Sequence, residues 1–487
     1  MDTRYIVVLE IGSSNIKGLA ASVGELGEIN IIAIEETRVT NCVRYGKIQN
    51  VQEVSAHVND IIRKLENNPL IAPRKITDVY VALGGRSLST VTAQAQAKFP
   101  NAVEITPETI DRLKRDASFG LVTDKLNLDM VPHVFFVDKS EVKNVVGTIG
   151  NHIRAEFSAI VISPSIRNNL DRIKFDGRTI ERHYVVRPTA VADLVLTASE
   201  KQLGCALVDF GAETTTITIY KGDVLQTIVT LPIGSRNITR DLMIGLSMTE
   251  DSAEMAKART GSATPVDAAT SSDIEINNYI VARAGEIVAN ILHQIEAAGF
   301  KPQSLPAGII LTGGGSRLRN FNRLMEAQSK MPVRMAAIDS SLQFKGSGFD
   351  RNTNIDLLAI AKYAAEKSTI DCLTPAPEPV VEPEPEPVAS EPYPDPAARY
   401  GGRRVVDDDN LLEDDDDDFP ARKSTSQPRQ RPQRNNDYEE PDYESEYEDD
   451  YGHNGKSSII DNFKKRITRF FSDSSGLDDD DMDEPTI

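Results

Sequence analysis

Tyr5-Ile6-Val7-Val8-Leu9-Glu10-Ile11-Gly12-Ser13-Ser14-Asn15-Ile16-Lys17 runs from an apolar stretch straight into a glycine and three small polar residues. The continuous apolar run predicts a buried strand, and Gly12 predicts a sharp turn at its end. Gly12, Ser13, Ser14 and Asn15 leave backbone N–H groups open to phosphate oxygens. Lys17 adds a positive charge, and Glu10 can hold a magnesium ion through water. A simple tight turn has the same composition, so the stretch acquires meaning only in company.

Working outward, residues 206–216, ALVDFGAETTT, are a second apolar run ending at a carboxylate and a glycine, with Asp209, Gly211, Thr214 and Thr215 in the phosphate-facing places. Asp209, like Glu10, can reach a magnesium ion through water. Residues 308–316, GIILTGGGS, form a third, in which Gly313, Gly314 and Gly315 permit close approach of a flat ligand such as adenine. Between them Glu254 and Lys257 sit three apart on a predicted helix, suited to a ribose hydroxyl and a base edge. Such a pair alone is an ordinary surface ion pair. A fourth apolar run covers residues 79–83, and helical periodicity covers 54–65 and 276–295. Strands ending in glycine turns and separated by helices are how α/β proteins collect nucleotide phosphates at strand ends. The second half repeats the logic of the first, which predicts two related domains facing a cleft.

Composition narrows the partners. The net charge of −20 over 487 residues is concentrated in the tail: residues 374–454 carry 24 acidic against 8 basic residues, 472–487 carry seven acidic ones and 455–471 carry a net +4, leaving the first 373 residues at −1. Phosphate backbones demand basic surface, so nucleic acid is not an expected partner. Cys42, Cys205 and Cys372 have neither disulfide nor metal spacing, which suits a reducing cytosol. The N-terminus reads as a strand rather than a signal peptide, and no stretch approaches the ~20 apolar residues of a membrane span. Membrane contact is therefore expected to be peripheral.

From residue 374 to 455 the chain turns to Pro/Glu repeats, aspartate runs and Tyr/Glu repeats, which bury too little apolar surface to offset ordering and predict a disordered linker. Periodicity returns at 456–472. Ile459, Ile460, Phe463, Ile467, Phe470 and Phe471 are spaced 1, 3, 4, 3 and 1 apart, which places them on one helical face flanked by Lys464, Lys465, Arg466 and Arg469. Two adjacent phenylalanines with basic flanks suit the interface of an anionic bilayer. Docking on the chain's own core, or on a partner as calmodulin-type targets do, are the other uses of such a helix. An acidic end follows at 473–487, with Asp478, Asp479, Asp480 and Asp481 in a row.

The order and spacing of the three turns resemble the actin, heat-shock chaperone and sugar kinase superfamily. Within it the chain resembles the FtsA family. The segments that carry this are VVLEIGSSNIKGLAA (7–21), VYVALGGRSLST (79–90), VVRPTAVADLVLTASEKQLGCALVDFGAETTTITIY (185–220) and AAGFKPQSLPAGIILTGGGSRL (297–318), and the likeness extends over roughly residues 4–370. It implies an actin-like (ribonuclease H-like) fold with ATP and Mg2+ between duplicated domains. The implied divisions are subdomain 1A at 1–82 plus 166–200, an inserted 1C at 83–165, 2A at 201–233 plus 305–373, and 2B at 234–304.

The function the resemblance implies is a cell division protein that polymerises, binds the C-terminal peptide of FtsZ, recruits later division proteins and holds the ring to the cytoplasmic face of the inner membrane at the septum. Arg283, on a predicted helix of 2B, is placed to meet the acidic peptide. Two features depart from the superfamily pattern. Ala212 and Glu213 replace glycines of the second phosphate loop and put a carboxylate near the expected phosphates. Thr189 beside Pro188 stands where actin places a water-positioning glutamine, and Asp193, one helical turn on, reads as a surface residue. Without a base or a positioning amide, at most weak ATP hydrolysis is expected and no catalytic residue is assigned. A sugar or acetate kinase would need such a base, and the actin-like platform of pilus assembly would have no use for the terminal helix.

Overall fold

The computed structural model describes residues 3–375 except 26, 122, 266–269, 340–343 and 347. The linker beyond 375, the helix at 456–472 with its membrane-facing residues, and the acidic end at 473–487 lie outside the described residues.

The chain opens with an antiparallel meander of β1 (Arg4–Ile11), β2 (Asn15–Val23) and β3 (Ile29–Arg38), followed by a small hairpin of β4 (Val43–Arg44) and β5 (Lys47–Ile48). Helix α1 (Val51–Glu66) starts where the Asn50 side chain caps Glu53 N. It buries Val54, Val58, Ile61, Ile62 and Leu65, one face at helical spacing. That face lies on β2 so closely that a Cβ on Gly18 would come within 2.4 Å of Ile61 Cγ2. Strand β6 (Asp78–Leu83) pairs parallel to β1.

An inserted unit comes next, with β7 (Ser89–Glu104), α2 (Pro107–Phe119), β8 (Leu126–Val137), β9 (Ser140–Val142) and β10 (Ile149–Ile162) around its own apolar core, centred on Phe157, Ile153 and Leu113. Helix α3 (Pro164–Asp171), β11 (Glu181–Val186) and α4 (Arg187–Val195) return to the first half, where β11 pairs parallel to β6.

After α5 (Ala198–Leu203) the second half starts with β12 (Cys205–Phe210), β13 (Thr215–Lys221) and β14 (Val224–Leu231), again an antiparallel meander. Helices α6 (Ser235–Gly245), α7 (Glu250–Arg259) and α8 (Ser271–Ala297) follow, then β15 (Ile309–Thr312), α9 (Phe321–Ser329) and β16 (Val333–Met335), and finally β17 (Phe344–Lys345) and α10 (Ile355–Lys367). The first sheet runs β11-β6-β1-β2-β3-β17, and the second runs β16-β15-β12-β13-β14 before continuing into β7-β10-β8-β9. The five strands at the start of each order match one to one in position and direction, so the chain is a duplicated α/β fold of actin-like design.

Residues 305–373, assigned to the second half on the sequence, divide between the two. β15, α9 and β16 complete the second sheet, whereas β17 pairs with β3 and Cys372 N donates to Tyr5 O. Leu357, Leu358, Ile360 and Ala361 of α10 are buried in the first core, so the chain's return there is bound by apolar burial. The three cysteines are buried thiols. No helix among the described residues is long and apolar enough to cross a membrane.

Candidate nucleotide cleft

The two phosphate-type turns are built alike. Gly12 N donates to Asn15 O at 3.0 Å, and Gly211 N donates to Thr214 O at 2.9 Å. In each, a Cβ on the glycine would lie 2.9 Å from that same carbonyl oxygen, which is why both meanders need glycine as they leave their first strand. Gly313 adopts φ +86° and passes so close to β12 that a Cβ would be 2.5 Å from Asp209 Oδ1. Gly315 rests against the Phe210 ring, itself stacked on Phe321 at 4.6 Å, while a Cβ on Gly314 would meet nothing within 4 Å.

These turns open on one cleft of about 730 Å³. Glu10, Gly12, Ser13, Ser14, Asn15, Lys17, Asp209, Gly211, Thr214, Glu254, Lys257, Gly313, Gly314 and Gly315 all line it. Thr215 does not: it is fully buried, and its hydroxyl donates to Ile233 O. Lys257 Nζ is 2.9 Å from Glu254 Oε1 and 2.8 Å from Thr239 Oγ1. Burial holds the Lys257 ammonium below its usual value despite the pull of Glu254. Lys17 Nζ donates to Thr353 O at 3.0 Å and lies 3.7 Å from Glu36.

Sequence reasoning missed two residues at the centre. Arg187, the first residue of α4, puts Nη2 2.7 Å from Asp209 Oδ2, Nη1 3.5 Å from Glu10 Oε1 and Nε 3.9 Å from Asp356 Oδ1. Glu10 and Asp209, expected to face a magnesium ion through water, thus face a guanidinium. Burial, with Asp356 nearby, pushes the Glu10 carboxyl up to about 8. Burial pushes Asp209 up to about 6 against the pull of Arg187. For Arg187 itself burial acts downward, and the carboxylates of Asp209, Asp356 and Glu10 more than offset it. A signal for Arg187 was present, since it ends an apolar run as Gly12 and Gly211 do. Asp356 carried none.

Glu213 also differs from expectation. It is 1 % exposed, and its charge does not lie bare in the cleft. Oε1 accepts from Arg240 at 2.8 Å with Arg236 3.5 Å away, and Oε2 accepts from Tyr45 N on the β4–β5 hairpin at 2.8 Å. Arg236 in turn donates to Ser13 O at 3.1 Å. Glu213 and Arg236 therefore tie the second half to the first.

Away from the cleft, Arg283 is held by Asp241 at 2.5 Å and Glu286 at 2.8 Å. Asp193 pairs with Lys201 at 2.6 Å and does not line the cleft, and the Thr189 hydroxyl donates to Val186 O. Among the described residues no group of three or more His, Cys, Asp or Glu is arranged to hold a metal ion.

Comparison with known proteins agrees with the fold. The family model described as "Cell division protein FtsA" matches residues 206–355. The cell division protein FtsA of Porphyromonas gingivalis is 30% identical over 362 residues, spanning 70% of this chain and 74% of that protein. The protein of the same name from Neisseria meningitidis is 28% identical over 353 residues, spanning 69% and 84%. Among solved structures, the PilM-PilN type IV pilus biogenesis complex aligns with a TM-score of 0.52 at 18% identity over 74% of this chain and 98% of that one. That likeness concerns the fold alone.

Proposed function

The chain belongs to the FtsA family of cell division proteins, and from that premise we propose that it is an ATP-binding, actin-like filament former that holds FtsZ and ties the division ring to the cytoplasmic face of the inner membrane. The observation that carries the nucleotide part is the meeting of two identically hydrogen-bonded glycine turns and the 313–315 glycine run on one cleft. Backbone N–H groups of residues 13–15 and 212–214 would face phosphates, the glycine run would face the base, and Glu254 with Lys257 would face the ribose. The residues therefore fit a nucleoside triphosphate. They do not fit a magnesium ion equally well, because Arg187 already stands among the carboxylates that would hold it.

The other parts of the reading rest on family membership and sequence. The helix at 456–472 would lie in the membrane interface with Phe463, Phe470 and Phe471 inserted. The C-terminal peptide of FtsZ would dock on residues 234–304, where an acidic segment must compete with Asp241 and Glu286 for Arg283. Thr189 and Asp193, the positions where the family likeness would seek a water-positioning group, are both engaged elsewhere, so neither would speed hydrolysis.

Protection from thermal unfolding tests the nucleotide reading, since a ligand that binds only the native state stabilises it by about 2.7 kcal/mol at a hundredfold excess over Kd. ATP should raise the melting temperature of the native chain, and Gly313→Asp should erase that rise. No rise with saturating ATP in the native chain overturns the reading. Co-sedimentation with anionic liposomes, with and without FtsZ, tests the rest.

A further inference from the structure

We propose that Arg187 is a tethered cation that takes the place of magnesium in the cleft, so that a nucleoside triphosphate binds here without a divalent ion; the inference rests on the nucleotide reading above. Its carboxylate partners come from separate elements: Glu10 from the end of β1, Asp209 from the end of β12, and Asp356 from the first turn of α10. Both halves of the fold thus converge on one guanidinium. The four side chains are 12–21 % exposed, so the cluster is shielded from bulk water.

Three carboxylates attract cations, and the question is which cation wins. Arg187 is covalently held at the spot, at an effective concentration that a free ion must overcome. Its guanidinium does not deprotonate, so it cannot step aside by losing charge. Magnesium demands near-octahedral oxygen ligands close at hand and gives up its waters reluctantly. Reaching Asp209 would require prising apart a 2.7 Å ion pair and placing a doubly charged ion beside a buried positive one. Lys17 lines the same cleft and adds a second tethered cation.

Arg187 is not fully paired within the cluster. Its Nε is buried without a hydrogen-bond partner, and so is Oδ1 of Asp356. The charge of Arg187 is matched by Asp209, and its place among the carboxylates is the one a divalent ion would take.

The test uses the full-length chain and two probes. Calorimetric titration with ATP is run with magnesium and with EDTA, and Mn2+ binding without nucleotide is followed by the paramagnetic resonance signal of the free ion. The native chain should bind ATP with a Kd that changes less than about threefold when magnesium is removed. Arg187→Gln should gain one Mn2+ site per chain that Asp209→Asn then removes, and its ATP affinity should become magnesium-dependent by about tenfold or more. Arg187→Lys, which keeps a charge at the spot, should exclude Mn2+ as the native chain does. The aspartate runs at 414–418 and 478–481 give the same background in every variant, so the reading is the difference.

ATP binding by the native chain that disappears in EDTA overturns the inference and leaves the nucleotide reading standing. A Mn2+ site in the native chain that Asp209→Asn removes overturns it independently of nucleotide. Failure of ATP to bind under either condition overturns both.

Discussion

The turn at Gly12 and the turn at Gly211 share one backbone and differ in what fills them. Each glycine donates to the carbonyl three residues on, at 3.0 and 2.9 Å. After the first come Ser13 and Ser14, small hydroxyl residues lining the cleft. After the second comes Glu213, buried against Arg236, Arg240 and Tyr45 N. The hydrogen bond that shapes the strand exit is the same in both halves. The side chains differ, and the second turn is a joint between the halves.

Breaking that joint should have the largest effect on stability. Glu213→Ala would leave two arginines and a backbone N–H without their buried acceptor, and removing one partner of a buried ion pair typically costs about 3–5 kcal/mol. Ser14→Ala in the first turn should cost under about 0.5 kcal/mol while weakening ATP binding. Chemical denaturation of both variants checks the contrast. Equal losses would mean that Glu213 contributes no more than a surface side chain.

The likeness of the turns is sharpened by Gly12→Ala and Gly211→Ala. Each new methyl meets a carbonyl oxygen at 2.9 Å, so each should destabilise by a similar amount, about 1–3 kcal/mol. A loss confined to one variant would show that the shared hydrogen bond does not impose a shared geometry.

The smallest effect concerns acidity. Glu10, raised to about 8, keeps its proton in the folded chain at pH values where the unfolded chain, near the ordinary value of 4.5, has lost it. Its contribution to stability is therefore present below about pH 4.5 and is lost as pH rises through 8. Glu10→Gln should raise the melting temperature at pH 8 by about 2–4 °C, roughly 1 kcal/mol, and change it little at pH 5. A melting profile with the opposite slope would show that Arg187 keeps Glu10 ionised.

The turns were legible in the sequence because glycine reports backbone conformation directly, and the same property exposed the duplication. Side-chain partnerships were not. Arg236 and Arg240 lie on α6, and nothing near Glu213 in the chain announces them. Thr215 was misplaced beside Thr214 because the turn gives way to strand there, and alternation sends Thr215 inward to Ile233 O. The return of β17 and α10 to the first half depends on pairing with β3 and burial beside β1, contacts between residues more than three hundred positions apart. Arg187 is not legible as a site residue within its motif, because its meaning lies in three carboxylates gathered from three distant elements.

Amide hydrogen exchange with and without saturating ATP tests the central claim most directly, since it reads both turns in one experiment. ATP should slow exchange together at residues 12–15, 211–214 and 313–315, the three segments that line the cleft. Protection at one turn alone, or at none, would contradict a nucleotide held between the two halves.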